Sequence, residues 1–80
     1  MKLANILENY SYEEFLKADG FDDAVIGVEV NTLRLVYSID RMIAILTKDD
    51  EMSYEDAIEY LDFNVFSAHV GERTPIYIYT

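Results

Sequence analysis

Cysteine and tryptophan are absent from this sequence, and proline and glycine are scarce, with 1 and 3 residues among 80. Without cysteine the chain has no disulfide, no thiol nucleophile and no thiolate metal ligand. Only 6 residues are Lys or Arg, and they are scattered, so the sequence predicts no direct binding to DNA or RNA. No apolar run approaches the roughly 20 residues of a transmembrane helix, so we expect no membrane segment.

Acidic and hydrophobic residues dominate what is present. The 16 Asp and Glu residues give a formal net charge of -10, and hydrophobic residues make up 51 % of the chain. This composition is too apolar for a disordered acidic tail, so we expect residues 1–80 to form a single compact domain. The N-terminus lacks the apolar stretch of a signal peptide, which favours an intracellular protein. A negative domain repels nucleic acid and anionic lipid but attracts basic protein surfaces.

Two short helices are predicted in the first twenty residues. The first has apolar residues at the spacing of one helical face: Leu3, Ile6, Leu7 and Tyr10. The second is predicted over residues 11–19, because Ser11 and Glu14 match a capping box. Gly20 favours the left-handed conformation that ends a helix. Tyr10 and Phe15 match the hydrophobic staple that accompanies such a helix start.

A hairpin is predicted next, because the apolar period changes to two. Residues 24–30 alternate, with Ile26, Val28 and Val30 expected on one side of the strand. The alternation returns in a second strand with Leu33, Leu35 and Tyr37. Asn31-Thr32 would then form a two-residue loop, although a bulged or longer strand remains an alternative.

Two more helices have clear start signals. Ser38 caps the first, which ends near Lys48, and Ser53 with Asp56 forms a capping box for the second. The first helix has a stripe of apolar residues expected to be buried: Ile39, Met42, Ile43 and Leu46. The second helix is expected to face the core with Tyr54, Ala57, Ile58, Leu61, Val65 and Ala68.

A last strand is predicted over residues 76–79. Gly71 marks the exit from the preceding helix, and Pro75 suits the start of an edge strand. We expect this strand to join the hairpin. The predicted fold is α+β, with a small antiparallel sheet of about three strands covered on one face by three to four short helices.

No motif specifies a chemistry, and we expect no catalytic, cofactor or metal site. His69 is the only histidine, with no assignable acidic or nucleophilic neighbour. Each serine that could act as a nucleophile is explained as a helix cap or lacks flanking glycines, as Ser67 does. The acidic connector at residues 49–51 lacks the alternating carboxylates and central glycine of a calcium loop, so weak surface binding is the most it allows.

The predicted partner-binding surface lies on the last helix, where acids and aromatics share one side. Its residues are Glu55, Asp56, Glu59 and Asp62, with Phe63 and Phe66 as candidate anchors. Carboxylates on such a face can stand in for phosphates in a basic groove. The alternatives remain that the acids are simply solvated and that the two phenylalanines belong to the core.

Part of the sequence resembles a family of small, uncharacterised bacteriophage-encoded proteins. The resemblance covers roughly residues 37–78 and rests on segments including Met52-Ser53-Tyr54-Glu55-Asp56-Ala57-Ile58-Glu59-Tyr60 and Gly71-Glu72-Arg73-Thr74-Pro75-Ile76. It implies an accessory phage protein of the bacterial host cytoplasm, without a defined activity. It singles out Asn64, Gly71, Thr74 and Pro75, and a tyrosine is more usual in that family where His69 stands.

Two functions follow as hypotheses. The first is an inhibitor that binds a host protein with a basic surface, most concretely a defence nuclease or CRISPR-type complex, by steric block or nucleic-acid mimicry. The second is a structural or assembly protein that forms a homodimer through the edge of its C-terminal strand. Salt should weaken the first interaction and leave the second largely unchanged.

Overall fold

The computed structural model describes residues 2–10 and 13–80. Its elements, in chain order, are α1 (Lys2–Asn9), a 3₁₀ turn (Asp22–Ala24), β1 (Val25–Glu29), β2 (Arg34–Ser38), α2 (Ile39–Asp49), α3 (Tyr54–Leu61), a π-helical turn (Asp62–Phe66) and β3 (Ile76–Ile78). The predicted α+β class is confirmed. Among these elements, no helix has the length and apolarity needed to cross a bilayer.

The sheet is mixed, which corrects the prediction of an antiparallel sheet. The strand order is β1-β2-β3, in which β1 is antiparallel to β2 and β3 is parallel to β2. A parallel neighbour requires a long crossover connection, and α2, α3 and the π-helical turn provide it between β2 and β3. The last strand therefore joins the hairpin as expected, but in the opposite direction. Coverage of one sheet face by the helices remains a prediction.

A β-bulge changes which residues of β1 face the core. Val25 pairs with Tyr37 and Val28 pairs with Leu35, so Ile26 is an extra residue between the two pairs. Both pairs then lie on one face, because each bulge shifts the alternation by one residue. The prediction that Ile26, Val28 and Val30 share one side of the strand is therefore wrong, because the bulge at Ile26 interrupts the alternation. Val25 is buried instead, and Val30 is exposed.

The hairpin loop is also longer than the predicted Asn31-Thr32 pair. It spans residues 30–33, and Leu33 adopts a left-handed conformation with φ 55°. The Glu29 carboxylate accepts hydrogen bonds from the backbone N–H groups of Asn31 (3.0 Å) and Thr32 (2.8 Å). Hydrogen bonding from the Thr32 side chain and then the Asn31 N–H lowers the pKa of Glu29. This carboxylate thus holds a turn that lacks the usual glycine.

The helix predicted over residues 11–19 is absent from its described part. Residues 13–18 have no regular secondary structure, and Ser11 lies outside the described residues. Backbone groups here bond to distant side chains: the Ala18 N–H donates to the Tyr37 hydroxyl (2.9 Å), and the Arg73 guanidinium donates to the Glu14 carbonyl (3.1 Å). These bonds replace the helical ladder, which is costly to nucleate in a two-turn helix.

Two local features predicted for that segment are nevertheless present. Gly20 has φ 88°, in a turn closed by a hydrogen bond from the Phe21 N–H to the Ala18 carbonyl (3.2 Å). The rings of Tyr10 and Phe15 meet edge to face, 6.2 Å apart. Both residue patterns suit a tight turn as well as a helix end, so local signals alone did not identify the structure between them.

One hydrophobic cluster joins α1, the hairpin, α2 and α3. Its buried members are Leu3, Ile6, Phe21, Ala24, Val25, Leu35, Tyr37, Ile39, Met42, Ile43, Leu46, Ala57 and Leu61. The predicted stripe on α2 is confirmed, and the Ser38 hydroxyl caps that helix by accepting the Arg41 N–H (3.2 Å). Leu7 is 38 % exposed, so the buried face of α1 is narrower than predicted.

Candidate functional site

Helix α3 begins as the sequence predicts. The Ser53 hydroxyl accepts a hydrogen bond from the Asp56 N–H (3.1 Å), and the Ser53 carbonyl accepts one from the Ala57 N–H (2.9 Å). The cap fixes the first turn, and Glu55 and Asp56 in that turn interact favourably with the helix dipole. The start of the helix thus determines where its carboxylates point.

The buried stripe of α3 is narrower than predicted. Ala57 and Leu61 are buried against the core, whereas Tyr54 is 62 % exposed. Tyr54 is the first residue of the helix, one turn before Ala57. Ala68 is also exposed, because the chain is no longer helical there. The core-facing assignments of Tyr54 and Ala68 are therefore wrong.

The four predicted acids form a continuous exposed surface, which we call the acidic face. It consists of Glu55, Asp56, Glu59 and Asp62, all exposed. Three of these residues are spaced four and three apart, so they follow one another along the helix surface. The acidic face is therefore a consequence of helix α3, whose cap and buried stripe orient it outward.

No basic residue neutralises this surface from within its own part of the chain. The sequence contains no Lys or Arg between Lys48 and Arg73. Over residues 2–10 and 13–80, the only ion pair joins Arg73 to Glu13, with 2.9 Å between the guanidinium nitrogen and the carboxylate oxygen. The carboxylates of the acidic face thus remain available to an external cation.

After Leu61 the helix changes its hydrogen-bond pattern. Residues Asp62–Phe66 form a π-helical turn, in which the backbone bonds reach five residues back rather than four. Side chains donate to carbonyls of this widened region: the Asn64 amide to the Tyr60 carbonyl (3.1 Å) and the Ser67 hydroxyl to the Phe63 carbonyl (3.0 Å). The periodicity analysis did not predict the π-helical turn, because it used the α-helical rotation of about 100° per residue for the whole segment.

The π-helical turn separates the two candidate anchors. Residues five apart come to one side of a π-helix, so Phe66 follows Leu61 toward the core. Its ring packs on Tyr77, with ring centroids 4.9 Å apart, and Phe66 is only partly exposed. Phe63 is 76 % exposed. Of the two predicted anchors, the structure therefore places Phe63 at the surface and packs Phe66 against the core.

Phe63 borders an open hollow on the side of α3. The hollow measures about 500 Å³ and is lined by Met52, Asp56, Glu59, Tyr60, Phe63 and Asn64. We call it the Phe63 hollow. These residues recur at intervals of three and four, which is the spacing of one helix face. The sequence contained this spacing, but the hollow was not among the predicted features.

A second, more enclosed cavity lies on the other side of Tyr60 and Asn64. It measures about 300 Å³ and is bordered by Lys17, Phe21 and Tyr77 among others. Burial raises the pKa of Tyr77, whose ring packs against its neighbours in this region. The cavity has one lysine and no cluster of reactive groups, so its geometry specifies no chemistry.

The remaining candidates have structural positions. Thr74 closes the turn before β3: its hydroxyl donates to the Gly71 carbonyl (2.7 Å) and accepts the Val70 N–H (3.0 Å). Gly71 has φ 132°, and Pro75 is buried. His69 is exposed. Within residues 2–10 and 13–80, no group of His, Asp or Glu is arranged to hold a metal ion.

The C-terminal strand forms an edge of the sheet. Ile78 is 38 % exposed and Tyr79 is 66 % exposed. Thr80 is tied back to α2, because its hydroxyl pairs with the Ser38 hydroxyl (2.8 Å) and its N–H donates to the Asp40 carboxylate (3.2 Å). The strand end is therefore anchored on the helix side.

No known family model matches the chain, and comparisons with curated proteins and with solved structures found no match either.

Proposed function

We propose that this protein binds a basic surface of another protein through the acidic face and Phe63. The exposure of Phe63 beside four exposed carboxylates carries the proposal. Aromatic anchors surrounded by polar groups are typical of binding hot spots. Acidic residues add attraction at a distance, so they speed encounter with a positively charged partner.

The exposure of Phe63 has no stabilising role within the fold. A large aromatic side chain in water gains none of the free energy that burial provides, and Phe66 already packs against Tyr77. The four acids also repel one another at spacings of three and four residues. A partner that covers Phe63 and neutralises the acids relieves both costs.

The spacing of the acids supports a partner that normally binds nucleic acid. An α-helix rises about 1.5 Å per residue, so Glu55, Glu59 and Asp62 span about 10 Å. Phosphates of one DNA strand follow at about 3.4 Å along the helix axis, which places a few charges in a similar length. We propose that the acidic face occupies the basic groove of a host defence nuclease or CRISPR-type complex, as an accessory protein of a phage would.

The test is affinity purification of the tagged protein from a bacterial host that carries defence systems. We expect a stoichiometric nucleic-acid-binding protein that is released as salt rises from about 50 to about 200 mM and is displaced by DNA or RNA. Glu59→Lys should abolish retention, whereas the matched control Glu8→Lys on α1 should not. Retention that is unchanged by salt and by Glu59→Lys overturns the proposal.

Self-association through β3 is a second candidate, favoured by the exposed sheet edge. Val36 and Ile76 are paired on β2 and β3, are only half-buried, and are not among the described residues that pack on the core cluster. Because β2 is the central strand, this apolar pair lies on the sheet face beside the β3 edge, and an edge strand next to such a pair suits pairing with a second copy. Ile78→Pro should then convert a dimer to a monomer in light scattering at any salt concentration, and a wild-type monomer at high protein concentration excludes this candidate.

A further inference from the structure

We propose that the Phe63 hollow receives an arginine side chain of the partner. This inference rests on the proposed function and makes it more specific, because it names the residue type that the acidic face recognises. It commits the hollow to one occupant, a guanidinium group, and distinguishes that occupant from the ammonium group of lysine. The basis is the chemistry of the lining.

The lining combines two carboxylates with two aromatic side chains. Asp56 and Glu59 are three residues apart on the exposed side of α3, with Tyr60 and Phe63 beside them. A cationic group of the partner would therefore meet opposite charge and aromatic surface at the same place. A cation seated against an aromatic face is attracted by the ring quadrupole, and the attraction is stronger the more the cation is desolvated.

Arginine fits this combination better than lysine. Its guanidinium is planar and weakly hydrated, so it can stack on Phe63 while its edge donates to the Asp56 or Glu59 carboxylate. Its methylene stem can lie on Met52 at the border of the hollow. The lysine ammonium is a compact, strongly hydrated charge, which gains from the carboxylates but little from the rings.

The hollow also disfavours anionic ligands. Asp56 and Glu59 repel phosphates and carboxylates, and the surrounding chain supplies no Lys or Arg between residues 48 and 73. The Asn64 amide donates one hydrogen bond to the Tyr60 carbonyl, and its oxygen has no hydrogen-bond donor within the described residues. Acceptors thus dominate the lining, and a donor-rich cation complements them.

The experiment compares two labelled peptides of equal charge, hexa-arginine and hexa-lysine, by fluorescence anisotropy at low salt. We expect hexa-arginine to bind about five- to tenfold more tightly, which corresponds to about 1–1.4 kcal/mol. Phe63→Leu should remove that preference while leaving hexa-lysine binding within about twofold, and Phe63→Tyr should retain it. Tyr79→Leu, a change at an aromatic outside the hollow that is 66 % exposed, is the matched control.

The outcomes separate this inference from the function on which it rests. Equal binding of the two peptides, lost in Glu59→Gln but retained in Glu8→Gln, overturns the arginine assignment and leaves the acidic face as a binding surface. Binding that Glu59→Gln and Glu8→Gln weaken equally overturns both, because the charge of the whole protein then explains it. Since Phe63 is exposed, its variants should keep the wild-type circular dichroism spectrum, which is checked first.

Discussion

Strand β2 and helix α3 with its π-helical turn place an aromatic residue and a capping serine in opposite environments: buried in β2, exposed beside α3. In β2, Tyr37 is fully buried and its hydroxyl accepts the Ala18 N–H. In the π-helical turn, Phe63 is 76 % exposed. Both regions also contain a serine that caps a helix, and Ser38 is buried whereas Ser53 is exposed.

The difference indicates which region the fold depends on. Each side chain at the end of β2 has partners within the chain, so its position contributes to stability. The outer side of α3 has an exposed aromatic and exposed acids, and these contribute little to folding. Exposed side chains without partners in the chain can form new contacts, so a binding partner would gain more free energy on the outer side of α3 than at β2. Matched substitutions in the two regions can test this contrast.

The largest difference in stability is expected between variants of the two phenylalanines of the π-helical turn. Phe66→Ala should lower the free energy of unfolding by about 2–3 kcal/mol, because Phe66 loses its packing on Tyr77 and leaves a partial cavity. Phe63→Ala should change it by no more than about 0.5 kcal/mol, because that ring is exposed. Urea unfolding of both variants measures the difference. Equal losses would show that Phe63 supports the fold.

Replacing the buried capping serine should also destabilise the protein more than replacing the exposed one. Ser38→Ala should cost about 2 kcal/mol, because it removes a buried acceptor for the Arg41 N–H and the partner of the Thr80 hydroxyl. Ser53→Ala should cost about 1 kcal/mol or less, since water can reach the exposed cap. Urea midpoints measure both losses. Ser53→Thr should retain most of the cap, and a larger loss at Ser53 than at Ser38 contradicts the comparison.

These matched pairs also show how far the sequence could predict the structure. Caps at Ser38 and Ser53, the left-handed Gly20 and the strand after Pro75 depend on residues close in sequence, and all were predicted. The direction of β3 and the lost helix before Gly20 depend on contacts between distant parts of the chain. Local patterns contain no information about those contacts.

The candidate site was predicted in part for the same reason. Exposure of the acidic face follows from the buried stripe of α3, which periodicity identifies. The separation of Phe63 from Phe66 depends on the π-helical turn, which is accompanied by side-chain hydrogen bonds from Asn64 and Ser67 to backbone carbonyls, and the α-helical spacing used for the prediction did not indicate such a turn. The role of the site in binding stays a prediction until a partner is measured.

A pH titration can test the burial of Tyr37. Burial raises the pKa of Tyr37 above its usual value of 10.0, and the pKa of Tyr77 is raised in the same way. The unfolded chain releases these protons near pH 10, while the folded protein retains them. Stability is therefore unaffected below about pH 10 and falls above it, by up to about 1.4 kcal/mol per pH unit for each group.

Tyr37→Phe should reduce this alkaline loss without abolishing it, because Tyr77 still contributes. The measurement is the urea midpoint at about pH 9 and about pH 11, compared with wild type. The variant also loses the hydrogen bond from the Ala18 N–H, so it should be less stable than wild type at both pH values. Only the change in urea midpoint between the two pH values therefore reports the pKa of Tyr37. If Tyr37→Phe and the exposed control Tyr79→Phe both show the wild-type change in urea midpoint between these pH values, burial of Tyr37 does not cause the alkaline loss of stability.

The smallest expected effect concerns the acidic face and has the opposite sign. Glu59 has acidic neighbours three and four residues away, at Glu55, Asp56 and Asp62, and like charges at these spacings each cost about 0.2–0.5 kcal/mol. Glu59→Gln should therefore stabilise the protein by about 0.5 kcal/mol at low salt, and the gain should vanish at about 1 M salt, where screening is nearly complete. The matched control Glu8→Gln lacks such neighbours on α1 and should give no gain.

A stabilising Glu59→Gln that also loses partner binding would show that the acidic face reduces folding stability while serving recognition. A destabilising Glu59→Gln would instead show that the carboxylate supports α3, and the contrast between the two regions would no longer hold.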